Sequence, residues 1–121
     1  MTKLELQYEG KSKKIYSTDS KERIIIQFKD DATAFYGIKH AQIENKGSMN
    51  CAISSMLLGW LNANGIKTHF VEQLSEDTQL CGVVEHLPFE VIVRNAIAGS
   101  MAKRLGLEEG ITHENVIFDL C

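Results

Sequence analysis

One long amphipathic segment, flanked on both sides by short strand-like runs, sets the limits on how this chain can fold. In residues 46–64, Met49, Ala52, Ile53, Met56, Leu57, Trp60 and Leu61 recur at i, i+3, i+4 and i+7 spacing, which draws one stripe along a helix. Gly65 follows where a helix is closed by a left-handed residue. The Met and Trp of the stripe read as core packing rather than as a cofactor box. Ahead of the helix, residues 4–9, 13–17 and 23–28 read as three consecutive strands, and Ile24-Ile25-Ile26-Gln27-Phe28 suits a strand covered on both faces. Residues 29–39, rich in Asp, Thr and Gly, read as a loop. Behind the helix come strand runs at 68–74, 80–85 and 89–96, a short helix at 99–105 and a last strand at 115–121. This order predicts an α+β fold, an antiparallel β-sheet with one long amphipathic helix and a short one.

Composition narrows the function classes. A chain of 121 residues is one domain at most, and a single proline, Pro88, with no low-complexity stretch leaves neither linker nor repeat. No apolar run approaches a membrane span, and Met1-Thr2-Lys3-Leu4-Glu5 opens no signal-peptide core. No membrane partner and a cytoplasmic location are therefore expected. A net charge of −3 gives no general nucleic-acid footprint. Cys51, Cys81 and Cys121 are odd in number, widely spaced and without a C-x-x-C pair; they read as free thiols in a reducing compartment, not as a zinc site.

Two segments carry chemistry. In Val91-Ile92-Val93-Arg94-Asn95-Ala96-Ile97-Ala98-Gly99-Ser100, a strand-type run ends on an arginine and a helix opens at Gly99-Ser100, with Lys103 and Arg104 in its last turn. An Arg at a strand exit is held at fixed geometry, and Ser100 offers a hydroxyl at a helix N-terminus, where anions are favoured. The alternative is a surface Arg beside an ordinary capping Ser. In Leu6-Gln7-Tyr8-Glu9-Gly10-Lys11-Ser12-Lys13-Lys14-Ile15-Tyr16, apolar and polar residues alternate on both sides of a glycine, as in a tight hairpin or bulge. Lysines at such a turn can neutralise phosphate charge, or can protect a strand edge against aggregation. Neither a Walker A loop nor a G-x-G-x-x-G is present. His40, His69, His86 and His113 are scattered singly and are assigned to neither catalysis nor metal.

With Phe28-Lys29-Asp30-Asp31-Ala32-Thr33-Ala34-Phe35, Lys46-Gly47-Ser48-Met49-Asn50 and Gly65-Ile66-Lys67-Thr68-His69-Phe70 between them, and Pro88 to Gly110 closing the series, these segments resemble the N-terminal half of the SAICAR synthetases. The resemblance covers nearly the whole chain, and Arg94-Asn95-Ala96-Ile97-Ala98-Gly99-Ser100 is its most specific marker. It implies the ATP-binding lobe of a kinase-like, ATP-grasping ligase of purine biosynthesis. Such a ligase joins L-aspartate to carboxyaminoimidazole ribonucleotide, giving SAICAR, ADP and phosphate. It further implies that Gly10, Lys11, Ser12 and Lys13 form the nucleotide-phosphate turn, with Lys13 first and Lys11 next as phosphate ligands. Ile15, Val84 and Glu85 would line the adenine site, the last two on the strand that leads to the turn at His86-Leu87-Pro88. Arg94 and Ser100 would hold the ribonucleotide, Asp31 and Thr33 would stand on a loop, residues 30–37, that closes over the substrate side, and Lys46 and Gly47 would stand at the mouth of that pocket. ATP with Mg2+ is the implied cofactor set, the metal ligands lying in a second half beyond this sequence, and a homo-oligomer is expected. The chain is thus expected to be cut in the middle and to expose apolar surface along its last strand. A nucleotide-binding fragment without turnover and one subunit of a split enzyme remain open alternatives.

Overall fold

The computed structural model describes residues 1–34 and 37–121. Phe35 and Tyr36, part of the expected substrate-side loop, lie outside the described residues, as does the side chain of His113. The α+β class holds: every strand pairing is antiparallel, and two helices accompany the sheets. The residues fall into two compact units, Met1–Val84 and Glu85–Cys121.

The first unit is built on a five-stranded sheet in the order β1-β2-β3-β7-β6. Its strands are β1 (Lys3–Glu9), β2 (Lys13–Thr18), β3 (Arg23–Phe28), β6 (Phe70–Gln73) and β7 (Thr78–Gly82). Strand alternation sorts the side chains. Lys13, Ile15 and Ser17 stand opposite Phe28, Ile26 and Ile24, and Ile26 and Ile24 stand opposite Gln79 and Cys81, so these residues share one face. Helix α1 (Lys46–Ala63) lies on that face, where Cys51 joins Ile26, Phe28 and Cys81 in one buried cluster with Ile15 and Ile24 packed at its edge. Ile25 and Ile26 point to opposite faces and are both buried, as the continuous apolar run requires.

The helix meets the sheet along a side that its apolar stripe does not mark. Its buried residues are Gly47, Cys51 and Ser55, one turn apart, whereas Met56 and Trp60 are 66% and 64% exposed, and Met49, Ile53 and Leu57 are exposed too. The expected core role of the Met and Trp is therefore corrected. Small residues face the sheet because the approach is close: a Cβ on Gly47 would stand 2.7 Å from the carbonyl oxygen of Phe28. Gln79, almost fully buried, donates from Nε2 to Ser55 Oγ at 2.9 Å, so its amide does not carry an unmet hydrogen-bond cost into the core. The helix start is capped from outside. Asn45, left-handed at φ 65°, makes no side-chain cap, and instead the Gly47 N–H donates to Asp30 Oδ1 at 2.7 Å. That carboxylate satisfies an orphan donor at the positive end of the helix dipole. Gly65, at φ 84°, closes the other end as expected.

Residues 29–39 are not simply a loop. β4 (Asp31–Ala34) pairs with β5 (Lys39–Gln42), Thr33 opposite His40. Asp30 precedes this ribbon, and Asp31, Ala32, Thr33 and Ala34 extend through its first strand. β7 runs from Thr78 to Gly82 rather than from 80 to 85, because its partners in β3 end at Arg23.

In the second unit β8 (Val91–Ala96) pairs with β9 (Thr112–Leu120), and α2 (Gly99–Leu105) connects them with Ala102 buried. β9 begins three residues earlier than expected because Thr112 pairs with Ala96 across an irregularity. Val91 and Val93 stand opposite Leu120 and Phe118 on one exposed face; Ile92 and Arg94 stand opposite Asp119 and Ile117 on the other. Cys51 and Cys81 are buried and Cys121 is exposed, all as free thiols.

The two glycines of α1 separate the effects of packing and propensity. Gly47→Ala should cost about 1–3 kcal/mol, because the helix must lift from the sheet. Gly59→Ala, whose Cβ would meet only Phe70 Cε1 at 3.6 Å, should be neutral or stabilising by up to about 1 kcal/mol through helix propensity. Urea denaturation of both variants checks this; equal effects would contradict the close approach at Gly47.

Candidate functional site

The lysine turn is held from beneath by one residue that the sequence did not single out. Gly10 N–H donates to Lys13 O at 2.8 Å, closing the turn between β1 and β2. Lys29, just beyond β3, donates its backbone N–H to Ser12 O at 2.7 Å, and its ammonium donates to Gly10 O at 3.1 Å and to Glu9 Oε2 at 2.7 Å. The same ammonium lies 3.3 Å from Asp31 Oδ2, which meets His40 Nε2 at 3.0 Å. Only 14% of the Lys29 side chain is exposed. The hydrogen bond with Glu9 holds the Glu9 carboxyl below its ordinary pKa and lifts that of Lys29. For Asp31, partial burial pushes upward, but the hydrogen bonds with His40 and Lys29 win and its pKa is lowered. Turn and ribbon thus share one ionic chain through Glu9, Lys29 and Asp31, each in its charged form near neutral pH.

Lys13 and Ile15 leave the turn on the face that α1 covers in part. The Lys13 ammonium stands 5.2 Å from the centre of the Phe28 ring, a cation–π contact. Its charge is felt across this face: burial first, then Lys13, depresses the His69 pKa, so that imidazole is neutral at pH 7. Burial pushes the Cys81 thiol up to about 11, an inert packing group. Lys11 is exposed at the turn, and Gly10 and Ser12 are half-buried. A cavity of about 410 Å³ that includes Lys14 is rimmed by Glu9, Asp30, Asp31 and Asp77. Its carboxylates would repel a polyphosphate, which leaves the Lys13 and Ile15 face as the one with the right charge. Val84, exposed beyond β7, lines a cavity of about 580 Å³ together with His69, Phe70 and Val83. Glu85, also exposed, opens the second unit. Thr33 is half-buried on β4, and Gly47 is taken up by the Asp30 cap rather than left open at a pocket mouth.

Arg94 and Ser100 do come together. Arg94 donates from Nη2 to Ser100 Oγ at 3.3 Å, from Nη1 to Ala98 O at 3.1 Å and from Nε to Asp119 Oδ2 at 3.0 Å. Arg104 Nη2 reaches the same carboxylate oxygen at 2.7 Å. Asp119 is buried; desolvation raises its pKa, and the bonds from Arg94 and Arg104 more than reverse this. Two guanidinium groups on one carboxylate leave an excess positive charge, and Arg104, half-exposed, presents it to solvent. At the α2 N-terminus, Gly99 N–H donates to Glu109 Oε1 at 3.0 Å. Asp119 was legible as the one charge inside Val116-Ile117-Phe118-Asp119-Leu120. Lys29 had a weaker signal, a lone cation between a buried strand and two aspartates.

Comparison with known proteins places the chain in a family. The SAICAR synthetase family profile matches residues 6–121. A phosphoribosylaminoimidazole-succinocarboxamide synthase of Clostridium perfringens is 58% identical over 120 residues, which are 99% of this chain and 51% of that protein. The crystal structure of the corresponding synthase from Ehrlichia chaffeensis superposes with a TM-score of 0.87 at 40% identity, over 96% of this chain and 49% of that one. A SAICAR synthetase solved in complex with ADP gives 0.84 at 42% identity, over 93% and 48%. The chain spans about half the length of the curated relatives it matches. With its profile match, its high identity to these ligases and their fold, the chain belongs to the SAICAR synthetase family.

Proposed function

We propose that this chain forms the nucleotide- and ribonucleotide-binding half of a SAICAR synthetase. In that reading the whole enzyme condenses L-aspartate with carboxyaminoimidazole ribonucleotide at the expense of ATP. The observation that carries it is the lysine turn: a loop held by Lys29, with Lys11 exposed on it and Lys13 leaving it on the charge-compatible face, in a chain 42% identical to a relative solved with ADP. The substrate carboxylate attacks the γ-phosphorus of ATP and ADP leaves, giving an acyl phosphate. The amine of L-aspartate then attacks its carbonyl carbon, losing a proton, and phosphate leaves. Lys13 and Lys11 neutralise phosphate charge, while Ile15 and Val84 supply apolar walls and Glu85 backbone contact for adenine. Arg94, with Ser100 hydrogen-bonded to it, takes an oxyanion of the ribonucleotide, and Asp31 and Thr33 border the substrate side. Positioning and charge stabilisation supply most of the rate in such transfers. Mg2+ is the expected companion of ATP. Among the described residues no group of three or more His, Cys, Asp and Glu is placed to hold a metal ion; in this reading the ligands of Mg2+ lie in the second half of the enzyme. Among the described residues no helix is long and apolar enough to cross a membrane.

A homo-oligomer belongs to the same reading, supported by the exposed Met49, Ile53, Met56 and Trp60 of α1. Sedimentation analysis should show concentration-dependent association, and a strict monomer would count against it. Calorimetric titration of the 121-residue chain with ATP and magnesium should give saturable binding, weakened about 10- to 100-fold by Lys13→Ala, the range for a charge-assisted hydrogen bond. A folded chain that binds no nucleotide would sink the proposal for this half alone. In the second unit, the lowered pKa of Asp119 means that its contribution is complete above the ordinary Asp value of 3.8 and is lost as pH falls through the lower folded value. Protection of the β8 amides, taken relative to the intrinsic exchange rate at each pH, should therefore fall in strong acid, and Asp119→Asn should show the lowered protection already at neutral pH with little further change.

A further inference from the structure

Lys29 binds the segment that the proposed function assigns to ATP phosphates with both its backbone N–H and its ammonium. Its backbone N–H holds Ser12 O, its ammonium holds Gly10 O, and the same ammonium pairs with Glu9, the residue that enters the turn. These contacts grip the turn at Glu9, Gly10 and Ser12. The Lys13 ammonium instead extends over Phe28. A short, lysine-rich turn would otherwise spread its like charges and sample many conformations, and its entropy would be lost again on each binding event. A cation beneath the turn does add to that repulsion, but Glu9 at 2.7 Å and Asp31 at 3.3 Å offset it with two carboxylates. The Asp31 contact has a second consequence. Asp31 begins β4 and meets His40 of β5, so the ribbon expected to border the other substrate and the nucleotide turn are tied to one ammonium.

We propose that Lys29 is a positioning residue for the phosphate turn, presetting the geometry of residues 10–13 and linking it through Asp31 to the β4–β5 ribbon. This rests on the reading of the turn as the nucleotide site. Lys29 touches no reacting atom; it acts through Gly10, Ser12 and Glu9.

The test pairs hydrogen exchange by NMR with ATP–magnesium titration, using the full 121-residue chain as wild type, Lys29→Met, Lys29→Arg and Lys13→Ala. Met keeps the length and the apolar stem while removing the charge. Lys29→Met should raise exchange of the Gly10 amide about tenfold or more and weaken ATP to a similar degree, while exchange in the centres of β3 and α1 stays at the wild-type level. Lys29→Arg, which restores a cation and its donors, should recover most of both. Lys13→Ala should weaken ATP without loosening the Gly10 amide, which separates a ligand from a positioning residue. Wild-type ATP affinity in Lys29→Met overturns the positioning role and leaves the nucleotide site standing. Equal loosening of the whole sheet in Lys29→Met, without recovery in Lys29→Arg, overturns it as well, since the residue would then be a general stabiliser. A folded wild-type chain that binds no ATP overturns the nucleotide reading and this proposal with it, whatever the exchange rates.

Discussion

The close seat of α1 on the sheet is the constraint on which the first unit depends. Gly47 lies under the Phe28 carbonyl, Cys51 fills the centre of the buried cluster, and Ser55 meets the Gln79 amide. A larger side chain at any of these positions would push the helix outward and empty the space that Ile26, Phe28 and Cys81 occupy. The seat also explains the cap. Because Gly47 comes so near the end of β3, Asp30, two residues beyond Phe28, reaches the helix start that Asn45 leaves uncapped. Strand end, helix start and the first residues of the β4–β5 ribbon are thereby fixed at one place.

From that place the charges are distributed in two directions. Asp30 turns to the helix, whereas Lys29 on one side of it and Asp31 on the other turn to the lysine turn and the ribbon. Three consecutive charged residues, with little sequence distinction between the two aspartates, carry separate tasks because an extended chain sends alternate side chains to opposite sides. The second unit repeats the principle with fewer parts. Asp119, buried on β9, draws Arg94 of β8 and Arg104 of α2 onto one oxygen, and Arg94 in turn orders Ser100. In the second unit Arg94, expected to face an anion, is held by the Asp119 carboxylate while Arg104 adds a second positive charge; in the first, the lysine turn is held by Lys29, whose own charge Glu9 and Asp31 balance.

The apolar surfaces left outside are as telling as the cores. Trp60 and Met56 on α1, and Phe118 and Val93 on the β8–β9 hairpin, are each about two-thirds exposed. A stripe of this kind is normally the buried side of a helix, and here it is the exposed side.

What the sequence determined by itself was local. The α1 ends followed from the stripe and from Gly65, and the limits of β3 and α2 from their apolar runs and flanking residues. These depend on backbone preference and near neighbours, which a linear pattern records. Tertiary structure alone decided which side of α1 is inside, because small residues packed against a carbonyl outweigh a wider apolar stripe, and no periodicity carries that distance. It alone joined Lys29 to Gly10 across 19 residues and Asp119 to Arg94 across 25. Charge pairs of this kind become visible only when strand register brings their side chains to the same point, since the sequence states the charges but not the separations on which their energy depends.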